Sequence, residues 1–131
     1  MSTTQPIRSK QLLHDFKEYF LTKQPNSRNY TLILIGLNTA LRINDILHLT
    51  WGDVYCTEHS RFYTHLLITE KKTEKETRIL INRELQETLL SYRKTQPSIA
   101  DTDYLFPSPR KADSPLSRYQ AYRIVRKAAE A

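Results

Sequence analysis

The stretch that decides the fold covers residues 36–54 and reads GLNTALRINDILHLTWGDV. Its first residues complete a predicted helix over residues 27–39 that is apolar nearly all round, which is typical of a helix at the centre of a core. A short amphipathic helix is predicted next, over residues 44–49, with Asn44 as its cap. Trp51-Gly52-Asp53 is then predicted to turn the chain outward.

Arg42 lies at the junction of these two predicted helices. Rigid elements on both sides would hold its guanidinium in place, and Asp45, three residues later, can orient it. The same two residues can instead form a buried ion pair that only fixes the packing of the helices. The residues alone leave both roles open.

Periodicity predicts further elements on either side of this stretch. An amino-terminal helix is predicted over residues 9–23 and ends before Pro25, and Asn26 or Ser27 can cap the helix that follows. After Trp51 the periodicity changes to that of strands, and one small antiparallel sheet is predicted from residues 54–56, 64–69 and 77–81. Residues 71–76 form a polar tip between the second and third of these strands.

The carboxy-terminal half adds a helix after Asn82, a connecting segment over residues 96–117, and a last helix. Leu105-Phe106 is predicted to pin the connecting segment to the core, and a capping box of Ser117 and Gln120 marks the start of the last helix. The predicted fold class is α+β, mainly helical with a small three-stranded antiparallel sheet. We expect a single domain over residues 1–131.

Composition restricts the class of protein. The chain has 131 residues and 15.5 kDa, which suits one domain, and its 39% hydrophobic and 26% charged residues suit one core. The longest apolar run, residues 32–37, is far shorter than the roughly 18 residues that span a bilayer, and the first six residues lack a secretory signal. Cys56 has no second cysteine to pair with, which suits a reducing compartment. We expect a cytoplasmic protein with no membrane partner.

The chain has a net charge of +6 and a pI near 9.5, and its excess of basic side chains is concentrated in two clusters. Residues 108–131 hold six basic and two acidic side chains, and residues 71–83 hold five basic and two acidic ones. Such clusters attract a partner lined with phosphates, although they are also found on basic surfaces that bind only solvent. Charge therefore indicates a nucleic acid without requiring one.

The stretch of residues 36–54 resembles the first conserved box of the tyrosine recombinase, or phage integrase, family, a pattern close to T-G-L-R-I-S-E/D-L-L-x-L-x-W-x-D-I/V. The matching positions are Leu41-Arg42-Ile43, Asp45, Ile46-Leu47, Leu49, Trp51 and Asp53-Val54. Residues 67–81 resemble the family's β-hairpin with its active-site lysine, and residues 104–106 and 115–122 resemble the segment and helix that lead to the second box. These four landmarks occur in the family's order and cover nearly the whole chain.

The resemblance implies a partner, double-stranded DNA, and a reaction, strand cleavage and rejoining through a phosphotyrosine link for DNA recombination or integration. It implies no cofactor, no metal and no small-molecule substrate. Arg42 would neutralise the phosphate oxygens in the transition state with Asp45 supporting it, and Lys72, or its rival Lys71, would protonate the leaving 5′ oxygen. The lysines are equally typical of a solvated turn. The residues expected to bind DNA are Lys71, Lys75, Arg78, Arg118, Arg123, Arg126 and Lys127.

The chain also departs from the family pattern. Ala40 stands where the family usually has glycine. The family's His-x-x-Arg box and tyrosine nucleophile have no match, because no histidine follows His65 and the late tyrosines Tyr104, Tyr119 and Tyr122 precede the place where that box would begin. We expect the front two-thirds of a catalytic domain, incomplete and inactive by itself and monomeric in solution, whose intact parent can oligomerise on DNA.

Three alternatives remain from the residues. The chain can be a non-catalytic DNA-binding regulatory module derived from such an enzyme. It can be a helix-turn-helix regulator that uses residues 27–50. A zinc site on Cys56 and His59, with His48 and His65 nearby, lacks a second cysteine-containing ligand pair and is disfavoured.

Overall fold

The structure, a computed structural model, describes residues 15, 18–23, 25–39, 41–69, 73–96, 99–111 and 113–129. The described residues form five α-helices, α1 (Ser27–Thr39), α2 (Ile43–Leu47), α3 (Trp51–Val54), α4 (Arg83–Lys94) and α5 (Arg118–Ala129), and four strands, β1 (Tyr55–Cys56), β2 (Arg61–Phe62), β3 (His65–Thr69) and β4 (Glu76–Leu80). The predicted amino-terminal helix lies largely outside these residues, and its described end is a π-helical turn over Tyr19–Lys23. The helices of the described residues include none with the length and apolar character of a membrane span. The mixed α+β class is confirmed.

Helix α1 lies at the centre of the core, as predicted. Asn26 caps it, because its Oδ1 accepts a hydrogen bond from the Asn29 N–H at 2.9 Å. Four consecutive residues, 32–35, are all buried, so neighbours cover the helix on every side along this part of its length. It packs against α4 and against the π-helical turn.

The two predictions for residues 44–53 need correction. Helix α2 begins at Ile43 rather than at Asn44, because the Arg42 carbonyl accepts from the N–H groups of Asp45 and Ile46 at 3.0 and 3.1 Å and thereby closes the first turn. Trp51-Gly52-Asp53 forms the one-turn helix α3 rather than a turn. The reason is the Asp53 carboxylate, which accepts from the Thr50 N–H at 2.9 Å and so supplies a helix start.

The predicted three-stranded sheet divides into two sheets of two strands within the described residues. Strands β3 and β4 form the predicted hairpin, with pairs from His65 opposite Leu80 to Thr69 opposite Glu76. Strand β1 instead pairs with β2, a strand that is absent from the predicted elements. A turn over residues 57–60, with Ser60 in the left-handed region at φ 52°, folds the chain back onto β1 before it can reach the hairpin.

The connecting segment is pinned as predicted, since Leu105 and Phe106 are completely buried. The Tyr92 ring lies 5.4 Å from the Trp51 ring and 6.2 Å from the Phe106 ring, and its hydroxyl donates to the Leu105 carbonyl. Burial raises the pKa of Tyr92 to about 12. The segment thus completes the core against α3 and α4.

The last two helices start at capped residues. The Asn82 Oδ1 accepts from the Leu85 N–H at 2.9 Å at the start of α4. The predicted capping box of α5 is confirmed, because the Gln120 N–H donates to the Ser117 Oγ and the Gln120 Oε1 accepts from the Ser117 N–H, both at 3.1 Å.

Candidate nucleic-acid interface

Arg42 occupies the N-cap position of α2, where its backbone is fixed and its side chain is exposed. Its carbonyl receives the two hydrogen bonds that close the first turn of the helix, and Ile46 and Leu47 anchor the same helix in the core. The helix therefore fixes the backbone from which the Arg42 side chain extends, and the exposed guanidinium is accessible to an anionic partner.

Asp45 is half-buried and sits in the first turn of α2. Both Arg42 and Asp45 belong to the described part of the chain, and there their side chains form no ion pair within 4.0 Å. The exposure of Arg42 disfavours the alternative of a buried pair that fixes packing. The orienting role of Asp45 stays a prediction.

A groove of about 160 Å³ separates α2 from β3. Asn44, Asp45 and His48 line one side, and residues 67–69 line the other. Strand β3 therefore ends beside the helix that carries Arg42. Lys71 and Lys72 fall in the gap of residues 70–72 between β3 and β4 and lie outside the described residues.

His48 also lines this groove, and its sequence position alone suggests only a possible metal ligand. Its Nδ1 lies 2.8 Å from the Asn44 carbonyl oxygen, and because a carbonyl can only accept, Nδ1 carries the proton. Its ring meets the Tyr104 ring edge to face at 6.3 Å. The spacing of Asn44 and His48, one helical turn apart, is the signal in the sequence that places both on one face. In the described part of the chain no three His, Cys, Asp or Glu side chains cluster as a metal site would require.

The hairpin carries two of the predicted DNA-binding residues in exposed positions. Arg78 lies opposite Leu67 on the outer face, in a shallow depression that also includes His65 and Glu76. Lys75 follows Glu74, which adopts a left-handed conformation at φ 54° and so bends the chain into β4.

Helix α5 presents the remaining predicted residues, and all four of its cations, Arg118, Arg123, Arg126 and Lys127, are exposed. Tyr119 and Tyr122 lie among them with exposed fractions of 71% and 49%. The Arg118 guanidinium reaches the Tyr122 hydroxyl at 3.5 Å, and the Arg123 guanidinium lies 5.8 Å from the Tyr119 ring centre. Since α5 contacts α2, a basic and aromatic helix adjoins the helix of Arg42.

One relative matches this chain along its whole length. The "Probable integrase/recombinase YoeC" of Bacillus subtilis (strain 168) is 43% identical over 131 residues, which is 100% of this chain and 66% of that protein.

Two solved structures share the fold, each at 20% identity. XerA recombinase superposes with a TM-score of 0.73 over 99% of this chain and 43% of that chain. The Tn1549 transposon integrase, solved in complex with a circular intermediate DNA, superposes with a TM-score of 0.65 over 100% of this chain and 47% of that chain. The chain thus spans less than half of each solved relative. The profile of the Phage integrase family matches residues 4–131, and the chain belongs to that family.

Proposed function

We propose that this chain is the front part of a tyrosine recombinase catalytic domain, with residues 1–131 as one domain, and that it binds double-stranded DNA for recombination. The proposal rests mainly on the position of Arg42. Its guanidinium is exposed, and its backbone is fixed by two hydrogen bonds and by a helix that is anchored in the core. The transposon integrase that shares the fold was solved in complex with DNA, and the Bacillus relative is named a probable integrase/recombinase; both support the same function.

The proposed chemistry belongs to the intact protein. A tyrosine hydroxyl gives its proton to solvent as its oxygen attacks the phosphorus, a phosphotyrosine bond forms, and the bond from phosphorus to the 5′ oxygen breaks. Arg42 neutralises the charge that gathers on the nonbridging oxygens, with Asp45 supporting it. Lys72, or Lys71, gives a proton to the leaving 5′ oxygen. The groove between α2 and β3 supports this assignment, because the strand that leads to these lysines ends beside the helix of Arg42.

The proposed DNA surface extends from Arg42 to the hairpin and to α5. Lys75 and Arg78 contribute from the hairpin, and the cations of α5 contribute from the helix. Contacts of this kind go to phosphates and hold the protein on the duplex without reading its sequence.

Duplex binding by the 131-residue chain tests the proposal. A fluorescently labelled duplex titrated at low salt is expected to bind, and the double variants Lys75→Gln with Arg78→Gln and Arg118→Gln with Arg126→Gln are each expected to weaken binding. Arg83→Gln is the control for the loss of a surface charge, because Arg83 pairs with Glu87 at 3.6 Å on α4 and is not among the residues proposed to bind DNA. A flat titration of the wild-type chain would overturn the proposal.

A further inference from the structure

A second basic site lies where α1, α5 and the connecting segment meet. It is a cavity of about 260 Å³, which we name the Arg28 pocket. Three cations, Arg28, Arg123 and Lys127, line it together with the apolar side chains of Phe20, Leu116 and Ile124. None of the described residues that line it is acidic, and none belongs to the groove between α2 and β3.

Arg28 is held in place by a neutral group. Its Nε and Nη2 both donate to the Asn29 Oδ1, at 2.9 and 2.8 Å, and Asn29 is only 8% exposed. The Asn29 backbone is fixed in turn by the cap that Asn26 provides. An amide orients the guanidinium without neutralising it, so Arg28 keeps its full charge and still has the Nη1 group to offer.

Arg123 and Lys127 reach the same pocket from α5. They are separated by one helical turn and therefore lie on one face of the helix. Within the described ranges, no carboxylate lies within 4.0 Å of either side chain or of Arg28. Three positive charges around one partly apolar cavity repel one another, and a bound anion relieves that repulsion.

We propose that the Arg28 pocket binds a phosphate group. Phosphate suits the site because it accepts hydrogen bonds from several donors at once, and guanidinium groups are the preferred partners of its oxygens. The apolar wall leaves room for an organic group beside the phosphate. The phosphate comes either from the DNA backbone or from a free phosphorylated small molecule. The first source rests on the proposed function, and the second is independent of it.

The test uses the 131-residue chain and two probes, inorganic phosphate and adenosine 5′-monophosphate. Each is titrated at constant ionic strength, with chloride as the comparison, while NMR follows the side-chain amides of Asn29 and Gln120, both of which line the pocket. Saturable shifts are expected with phosphate and not with chloride. Arg28→Gln and Lys127→Gln are each expected to weaken binding about tenfold, because each removes a charged hydrogen-bond donor, whereas Arg83→Gln has no effect.

A parallel titration with duplex DNA shows whether the bound phosphate belongs to the DNA backbone or to a small molecule. If Arg28→Gln weakens DNA binding to the same extent, the pocket holds a backbone phosphate; if it weakens only the binding of the small probes, the ligand is a free phosphate compound. Phosphate binding without any DNA binding would support the pocket and overturn the proposed function. Shifts that are absent, or that persist in both variants, would overturn the pocket. If the Arg28→Gln protein fails to fold, the Lys127→Gln protein serves as the test, because Lys127 is exposed and its replacement leaves the core intact.

Discussion

At single residues, the two glycines differ in the space around them: Gly52 is closely packed and Gly36 is open. A Cβ on Gly52 would lie 3.0 Å from the Asp101 carbonyl oxygen, whose backbone pairs closely with α3, whereas a Cβ on Gly36 would meet nothing within 4 Å. We predict that Gly52→Ala lowers the free energy of unfolding by about 1–3 kcal/mol through overpacking. We predict that Gly36→Ala raises it by about 0.5–1 kcal/mol, because it removes a glycine from a helix. Urea denaturation checks both: a Gly52→Ala protein as stable as the wild type would contradict the packing described for Gly52, and a destabilised Gly36→Ala protein would contradict the open space at Gly36.

Tyr92 makes the stability depend on pH. Burial raises its pKa from 10.0 to about 12, so the unfolded chain releases this proton at a lower pH than the folded protein does. The resulting stabilisation is complete below pH 10 and falls as the pH rises toward 12. Tyr92→Phe loses the hydrogen bond to the Leu105 carbonyl and is expected to be about 1 kcal/mol less stable at neutral pH. Denaturation of both proteins should show that the difference between their free energies of unfolding narrows above pH 10. A difference that stays constant would contradict the raised pKa of Tyr92.

Among the secondary-structure elements, the N-cap of α4 contributes to the free energy of unfolding. We predict that Asn82→Ala lowers the free energy of unfolding by about 1 kcal/mol, because the Leu85 N–H loses its acceptor. Asn38→Ala is the control, since Asn38 is exposed near the end of α1. Chemical denaturation should separate the two variants, and equal stabilities would show that the side chain of Asn82 does not act as a cap.

The sequence predicted those elements that carry their own local signals. Helices α1 and α5 follow from apolar periodicity and from caps at Asn26 and Ser117. Strand β2 has two residues and follows a turn without glycine, so nothing local marks it. Helix α3 has a local signal, the spacing of Thr50 and Asp53, which the Trp-Gly-Asp sequence obscured.

The candidate site was predictable where one segment carries it. Arg42 stands out in a single stretch, and the structure places it exposed at the start of α2, while its role in binding phosphate stays a prediction. The Arg28 pocket was not predictable, because its three cations come from two helices that are far apart in sequence and meet only in the fold. Periodicity reports the faces of one helix and gives no information on which other helix each face meets.

At the scale of the whole molecule, the chain holds candidates for phosphate activation and proton donation without a match to the family's nucleophile motif. We predict that the 131-residue chain binds a nicked suicide duplex and forms no covalent product with it. Denaturing electrophoresis of the labelled duplex checks this. A band that migrates as a protein–DNA adduct would show that one of the tyrosines in the chain can act as the nucleophile, and the interpretation as an incomplete catalytic domain would then be wrong.

The salt dependence of duplex binding by the wild-type chain and by Arg42→Ala tests directly whether Arg42 contacts a phosphate. If Arg42 contacts a phosphate, its loss weakens binding to all duplex sequences alike and reduces the slope of log K against log salt by about one. Unchanged affinity, or a loss confined to particular sequences as expected of a recognition helix, would contradict the account.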